Sequence, residues 1–216
     1  MSIKHHISDD LILAYATGEL DEATSLLVAT HMALCPTCRH SLEMGEALGG
    51  ALLESETSES VSDGELLSIF DRIDTAKPAV RKEIRPTRRP HTLPQPLRDY
   101  VGGDVDAVKW KSIGGVRHCA IDTAGSEARA RLLRIPAGQQ IPEHSHRGLE
   151  LTLVLSGSFY DEGAWFRRGD VEEADATVDH HPIAGPEEDC ICLAVTDAPL
   201  RFRGLIPRLV QPFIGL

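Results

Sequence analysis

Between residues 138 and 157 the chain reads Gly138, five residues, His144, one residue, His146, three residues, Glu150, six residues, Gly157. No other feature narrows the possible folds as far. In a β-strand alternate side chains share a face, so His144 and His146 fall together. Glu150 has the same parity, although Arg147-Gly148 can bend the chain between them. Two imidazoles and a carboxylate on one inner face suit a divalent ion such as Zn, Fe, Mn or Ni. Gly138 and Gly157 suit turns at the strand ends. Short β-rich segments surround this motif, at 116–121, 128–135, 149–155, 157–160, 189–195 and 200–202, separated by Gly, Pro and Asp. Many short strands with regular turn signals predict a β-sandwich or barrel over residues 99–216.

A second constellation lies far upstream. His31-Met-Ala-Leu-Cys35-Pro-Thr-Cys38 is an H-x3-C-x2-C. One helical turn separates His31 from Cys35, so both face one side, and Cys38 joins them if the chain turns at Pro36. Zinc takes four tetrahedral N or S ligands, and a closed Cys2His2 set is structural rather than catalytic. The fourth ligand must come from elsewhere, and His5 and His6 are the nearest candidates. Four helices are expected here. The first starts at Ser8-Asp9-Asp10, the second covers 22–32 behind Asp21, and the third runs from the Cys35 region to Leu53. The fourth opens at the capping box Ser62-Asp63-Gly64-Glu65 and carries Leu66, Leu67, Ile69, Phe70 and Ile73 in helical spacing.

The chain has five cysteines. Besides Cys35 and Cys38, Cys190 and Cys192 form a C-x-C and Cys119 stands alone, an odd count that does not read as a secreted disulfide framework. Cys190 and Cys192 share a strand face, as two small core residues or as a redox-sensing pair.

At 216 residues the chain has room for two compact domains. The expected division is 1–76, a linker 77–98 carrying five prolines among basic residues, and 99–216. Charge follows the same division: the net is −11 over 1–76, +6 over 77–98 and −6 over 99–216. An acidic helical domain repels nucleic acid and attracts a basic partner, which argues against direct DNA binding. Residues 1–10 lack the pattern of a signal peptide, and no run approaches the roughly 18 apolar residues of a membrane helix. A cytoplasmic protein is expected.

An early histidine followed by H-x3-C-x2-C, on a helical stretch over 1–76, resembles the zinc-binding anti-sigma factors. The G-x5-H-x-H-x3-E-x6-G run resembles the first cupin motif at every defined position. Their order resembles the cupin-bearing, ChrR-like branch of that family. The fold this implies is multidomain α + β, a four-helix zinc domain followed by a cupin barrel of jelly-roll type.

The resemblance places the early ligand on His6, completing His6, His31, Cys35 and Cys38 as a zinc site. It places the late cupin histidine on His180 rather than His181, completing His144, His146, Glu150 and His180 around a metal, zinc by family habit. Gly169-Asp170 starts the second cupin motif, but the usual P-x-G turn and trailing Asn are absent. The family's helical domain grips an extracytoplasmic-function sigma factor, so Phe70 and Ile73 are candidate contacts, with core packing as their ordinary alternative. Its cupin domain meets a small molecule or oxidant, singlet oxygen or an organic hydroperoxide, and releases the partner. This implies a regulator rather than an enzyme, without membrane attachment. The competing reading is a metal-dependent cupin enzyme, of dioxygenase or isomerase type, with a helical appendage.

Overall fold

Three helices come first, each with a local reason to begin. Asp9 and Asp10 fill the first turn of α1 (Asp9–Thr17), and Gly18, at φ 74°, closes it. Asp21 starts α2 (Glu22–Met32) by accepting the Ala23 and Thr24 N–H groups at 2.9 and 3.1 Å. The same carboxylate accepts the hydroxyl of Ser126. Pro36 sits at the first position of α3 (Pro36–Ser55), where its missing N–H costs nothing. Further on, α4 (Asp63–Thr75) has the expected capping box, with Ser62 and Glu65 bonded reciprocally. These coordinates come from a computed structural model, which describes residues 2–76, 90–145, 148–175, 179–198 and 201–202. His146 lies outside the described residues.

The strands are β1 (Lys111–Ile113), β2 (Val116–Ile121), β3 (Arg129–Ile135), β4 (His144–Ser145), β5 (Glu150–Ser156), β6 (Ser158–Asp161), β7 (Ala164–Arg167), β8 (Val171–Ala174), β9 (Asp179–His180), β10 (Ile183–Ala184), β11 (Cys190–Thr196) and β12 (Arg201–Phe202). An antiparallel six-stranded sheet runs β1-β2-β3-β11-β5-β8. Two three-stranded sheets, β10-β6-β7 and β12-β4-β9, complete the cupin fold. Gly157 turns the chain from β5 into β6 at φ 70°, and a Cβ there would meet the Asp189 carbonyl oxygen at 2.6 Å.

Parity along the central strands separates two cores. Leu151, Leu153, Leu155, Leu193 and Leu132 point to one face of the six-stranded sheet and cluster with Leu26, Leu27 and Val28 of α2. Val154, Cys190, Cys192 and Ile135 point to the other, with Phe159 and Phe166. Both faces of the sheet are therefore covered, so β5 and β11 are buried along nearly their whole length, and β11 reads as a continuous apolar run up to Val195. Eight of the eleven residues of α2 are buried, so it lies inside the protein instead of on its surface.

The structure forms two compact units, residues 1–46 with 91–216, and residues 47–90. The stretch 77–98 differs in part from an exposed linker. Residues 77–89 lie outside the described residues, but Leu93 and Leu97 are fully buried and α5 (Gln95–Val101) occupies the end of that stretch. Pro94 and Pro96 start this helix instead of preventing one, because the first helical turn tolerates proline. Asp104 then anchors the segment by accepting the N–H groups of Thr92 and Leu93 at 3.0 and 2.9 Å.

A shared core makes an unfolding prediction. Leu27→Ala should cost about 2–5 kcal/mol and lower the denaturation midpoint reported by Trp110 and Trp165, both outside α1–α3. Unfolding followed by tryptophan fluorescence checks it; an unmoved midpoint would mean that helices and barrel fold independently.

Candidate metal centres

His31 ends α2, and the chain curls so that Leu34 and Cys35 both donate their N–H to the His31 carbonyl at 2.8 Å. Cys38 lies in the first turn of α3 and points its N–H at the Cys35 Sγ, 3.5 Å away. His6 arrives from the segment before α1. Its Nδ1 stands 3.3 Å from Cys35 Sγ and 3.4 Å from Cys38 Sγ. All four residues offer ligand atoms within 4.8 Å of one another. A tetrahedral ion with Zn–N and Zn–S bonds of the usual lengths sets N···S edges of about 3.6 Å, so the cluster has the size of a metal site.

Electrostatics agree. Both ring nitrogens of His31 are buried; the Gly169 backbone approaches the ring without reaching good hydrogen-bond geometry, which leaves at least one nitrogen for a metal. Burial pushes the His31 pKa down to about 4, so the ring is a neutral ligand. Burial, with Cys35 beside it, pushes the Cys38 thiol up to about 11. A cation supplies the counter-charge that two buried sulfurs lack. His6 alone is exposed and closes the site on the solvent side. His5 takes a different role: its ring packs on Phe166 at 4.4 Å between centroids.

Residues 3–8 are strapped to the barrel. Asp170 Oδ1 accepts the N–H groups of Lys4 and His5 at 2.7 and 3.0 Å, and Val171 donates its N–H to the His5 carbonyl at 3.1 Å. Glu173 accepts the Ser8 N–H at 2.7 Å. Gly169, at φ 93°, lets Ile3 approach so closely that a Cβ would sit 2.6 Å from its side chain. Gly169-Asp170 thus acts as the seat of the segment that carries His6.

Inside the barrel, Glu150 begins β5 with its carboxylate buried, accepting the Thr152 hydroxyl at 3.2 Å. His144 on β4 stands directly opposite His180 on β9 in an antiparallel register. His180 is buried, whereas His181 is exposed and meets Gln140 at 3.3 Å. Two carboxylates not anticipated from the sequence face His180. Asp161 Oδ2 lies 2.6 Å from its Nδ1, and Glu172 Oε2 lies 3.8 Å away. Burial and the charge of Asp161 push Glu172 up to about 8. Burial opposes the ionisation of Asp161, but His180 and two backbone N–H groups outweigh it and hold the carboxyl below its usual range. Neither belongs to a local motif: Asp161 precedes Glu162-Gly163, and Glu172 sits beside Glu173. Only strand pairing puts them together. A cavity of about 470 Å³, bounded by Lys4, His5 and His6 on the strap, reaches both acids.

Cys190 and Cys192 are buried free thiols on the inner face of β11. The neighbouring Cys190 and burial push Cys192 up, which disfavours the thiolate that redox chemistry needs. Phe70 and Ile73 are 53% and 62% exposed, and α4 buries none of its residues.

A His/Cys cluster able to hold a metal, built from helices beside a cupin barrel with its own histidine and carboxylates, defines a cupin protein with a helical metal centre. The family model described as ChrR Cupin-like domain matches residues 99–199. The anti-sigma-E factor ChrR of Cereibacter sphaeroides is 49% identical over the full length of both chains. The chain belongs to the ChrR family. A chain of the crystal structure of Rhodobacter sphaeroides SigE in complex with the anti-sigma ChrR is 47% identical, covers 91% of this chain and 100% of its own length, and superposes with a TM-score of 0.78. An RmlC-like cupin protein from Ralstonia eutropha is 21% identical, covers 47% of this chain and 70% of its own length, and has a TM-score of 0.42.

Proposed function

We propose that this protein is an anti-sigma factor that sequesters an extracytoplasmic-function sigma factor and releases it when its cupin domain meets an oxidative signal. The observation that carries the reading is end-to-end identity of 49% with an anti-sigma factor. Surface chemistry supports it. Residues 47–75 expose Leu48, Leu52, Leu53, Leu66, Leu67, Ile69, Phe70 and Ile73, far more apolar surface than a self-sufficient helix pair carries. The acidic excess of residues 1–76 complements a basic, DNA-binding partner.

Zinc is the ion proposed for His6, His31, Cys35 and Cys38, because two thiolates and two imidazoles in a closed set suit it best. His144, His146, Glu150 and His180 are proposed to hold a second divalent ion, and the cavity beside Asp161 and Glu172 gives a small molecule a way to that neighbourhood. The protein regulates rather than catalyses, since its full-length relative is an anti-sigma factor. Among the described residues no helix is long and apolar enough to cross a membrane; action in the cytoplasm, where sigma factors meet RNA polymerase, follows from the proposed role.

Because the helices share a core with the barrel, the test uses the full chain. Added to run-off transcription with a cognate sigma factor, it should suppress the transcript at near one-to-one stoichiometry and lose this effect under singlet oxygen or an organic hydroperoxide. Undiminished transcription at excess protein would refute the reading.

A further inference from the structure

Resting on the reading of His180 as a cupin metal ligand, we propose that Asp161 is the positioning residue of that centre. It fixes His180 as the Nδ1–H tautomer and leaves Nε2 as the atom that faces the ion. The geometry is specific. Asp161 Oδ2 and His180 Nδ1 are 2.6 Å apart with side chains 3% and 2% exposed, so water does not compete for either. The other carboxylate oxygen accepts the N–H groups of Glu162 and His181 at 3.1 and 3.2 Å. Asp161 is therefore held by the β6–β7 turn on one side and by the residue after β9 on the other.

The chemistry follows from donor counting. A carboxylate only accepts, and a neutral imidazole has one donor and one acceptor nitrogen. In the neutral ring, the form that ligates a metal, the nitrogen bonded to Asp161 must carry the hydrogen, so the lone pair is on Nε2. Such a carboxylate fixes the ring plane and strengthens the imidazole as a ligand. Glu172 cannot perform this task, because 3.8 Å lies beyond a hydrogen bond. Asp161, Glu172 and His180 also lie close enough to ligate one ion themselves. That arrangement would need the Nδ1 lone pair and would break the shortest polar contact of the group.

The experiment uses the full chain with zinc in its Cys-containing helical centre and Co²⁺ titrated into the barrel against a chelator. Asp161→Asn should weaken Co²⁺ binding about 10- to 100-fold while the helical centre keeps its zinc, which reports that the protein is folded. Glu172→Gln should stay within about 3-fold of wild type, since it loses no hydrogen bond to the ring. Long-range ¹H–¹⁵N spectra of wild type lacking the barrel ion, recorded at a pH where the His180 ring is neutral, should show it protonated on Nδ1 and not on Nε2. The inference is overturned by an Nε2–H tautomer in wild type, a measurement that needs no variant. It is also overturned by unchanged Co²⁺ affinity in Asp161→Asn, or by equal losses in Asp161→Asn and Glu172→Gln. If wild type takes up no Co²⁺ in the barrel at all, the metal reading of the barrel fails first and this inference with it.

Discussion

Replacing Cys38 with serine should remove one metal ion from the full-length protein and abolish sigma-factor binding. A structural zinc set contributes on the order of 10 kcal/mol or more to the fold it closes. Serine keeps the volume but offers a hydroxyl that zinc bonds poorly. Affinity at this centre should fall by more than about 100-fold, the upper end of what losing a mere supporting residue costs. The damage spreads along identifiable contacts. Cys38 opens α3, its N–H reaches Cys35, and both sulfurs hold His6 in place. Without the ion, a buried His31 ring nitrogen loses its partner, and the turn between α2 and α3 loses a cross-link. Metal analysis should read one zinc fewer than wild type, and a pull-down should recover no sigma factor. Retention of both would show that the sulfurs are core packing only.

The second large effect is expected at the other end of the helical region. Phe70→Glu combined with Ile73→Glu should weaken sigma-factor binding about 1,000-fold, because anchors of this size cost about 2 kcal/mol each when lost and a buried charge adds to that. The fold should not notice. Both side chains are more than half exposed, and glutamate is a good helix former, so stability should change by no more than about 0.5 kcal/mol. Binding titration and thermal unfolding on the same sample separate the two readings of these residues. A docking face loses affinity at constant stability, whereas core packing would lose both.

The His6, His31, Cys35 and Cys38 cluster and the cupin motif were legible in the sequence, because each rests on local spacing. H-x3-C-x2-C is one helix turn and a corner, and H-x-H-x3-E is strand parity. The capping box of α4 and the segments that became β2, β3, β5, β6 and β11 were legible for the same reason. What the sequence did not disclose depends on which distant pieces meet. Asp161 and Glu172 acquire meaning only when β6, β8 and β9 bring them to His180. Gly169-Asp170 read as half of a cupin signature, but its backbone partners are residues 4 and 5, more than 160 positions away. Proline content marked 77–98 as linker, while Leu93 and Leu97, four residues apart, are the signal that its end packs. The continuous apolar run of β11 is the local sign of a sheet covered on both faces, and α2 is what covers one of them.

The strap over residues 3–8 has a thermodynamic consequence. Strand β8 offers Glu172 to the neighbourhood of His180, while Val171 and Glu173 bind the chain on either side of His6. The two proposed ions would thus be neighbours through a single strand. Reciprocity binds them: if filling the barrel tightens the helical centre by some factor, filling the helical centre must tighten the barrel by that same factor. His6 is the exposed member of its set, and its backbone neighbours are those seated on the cupin turn. Any event that rearranges β8 therefore also reaches the segment that carries His6. With such coupling, neither affinity would be a constant of its own site, and measuring one with the other site empty would give half of a coupled pair.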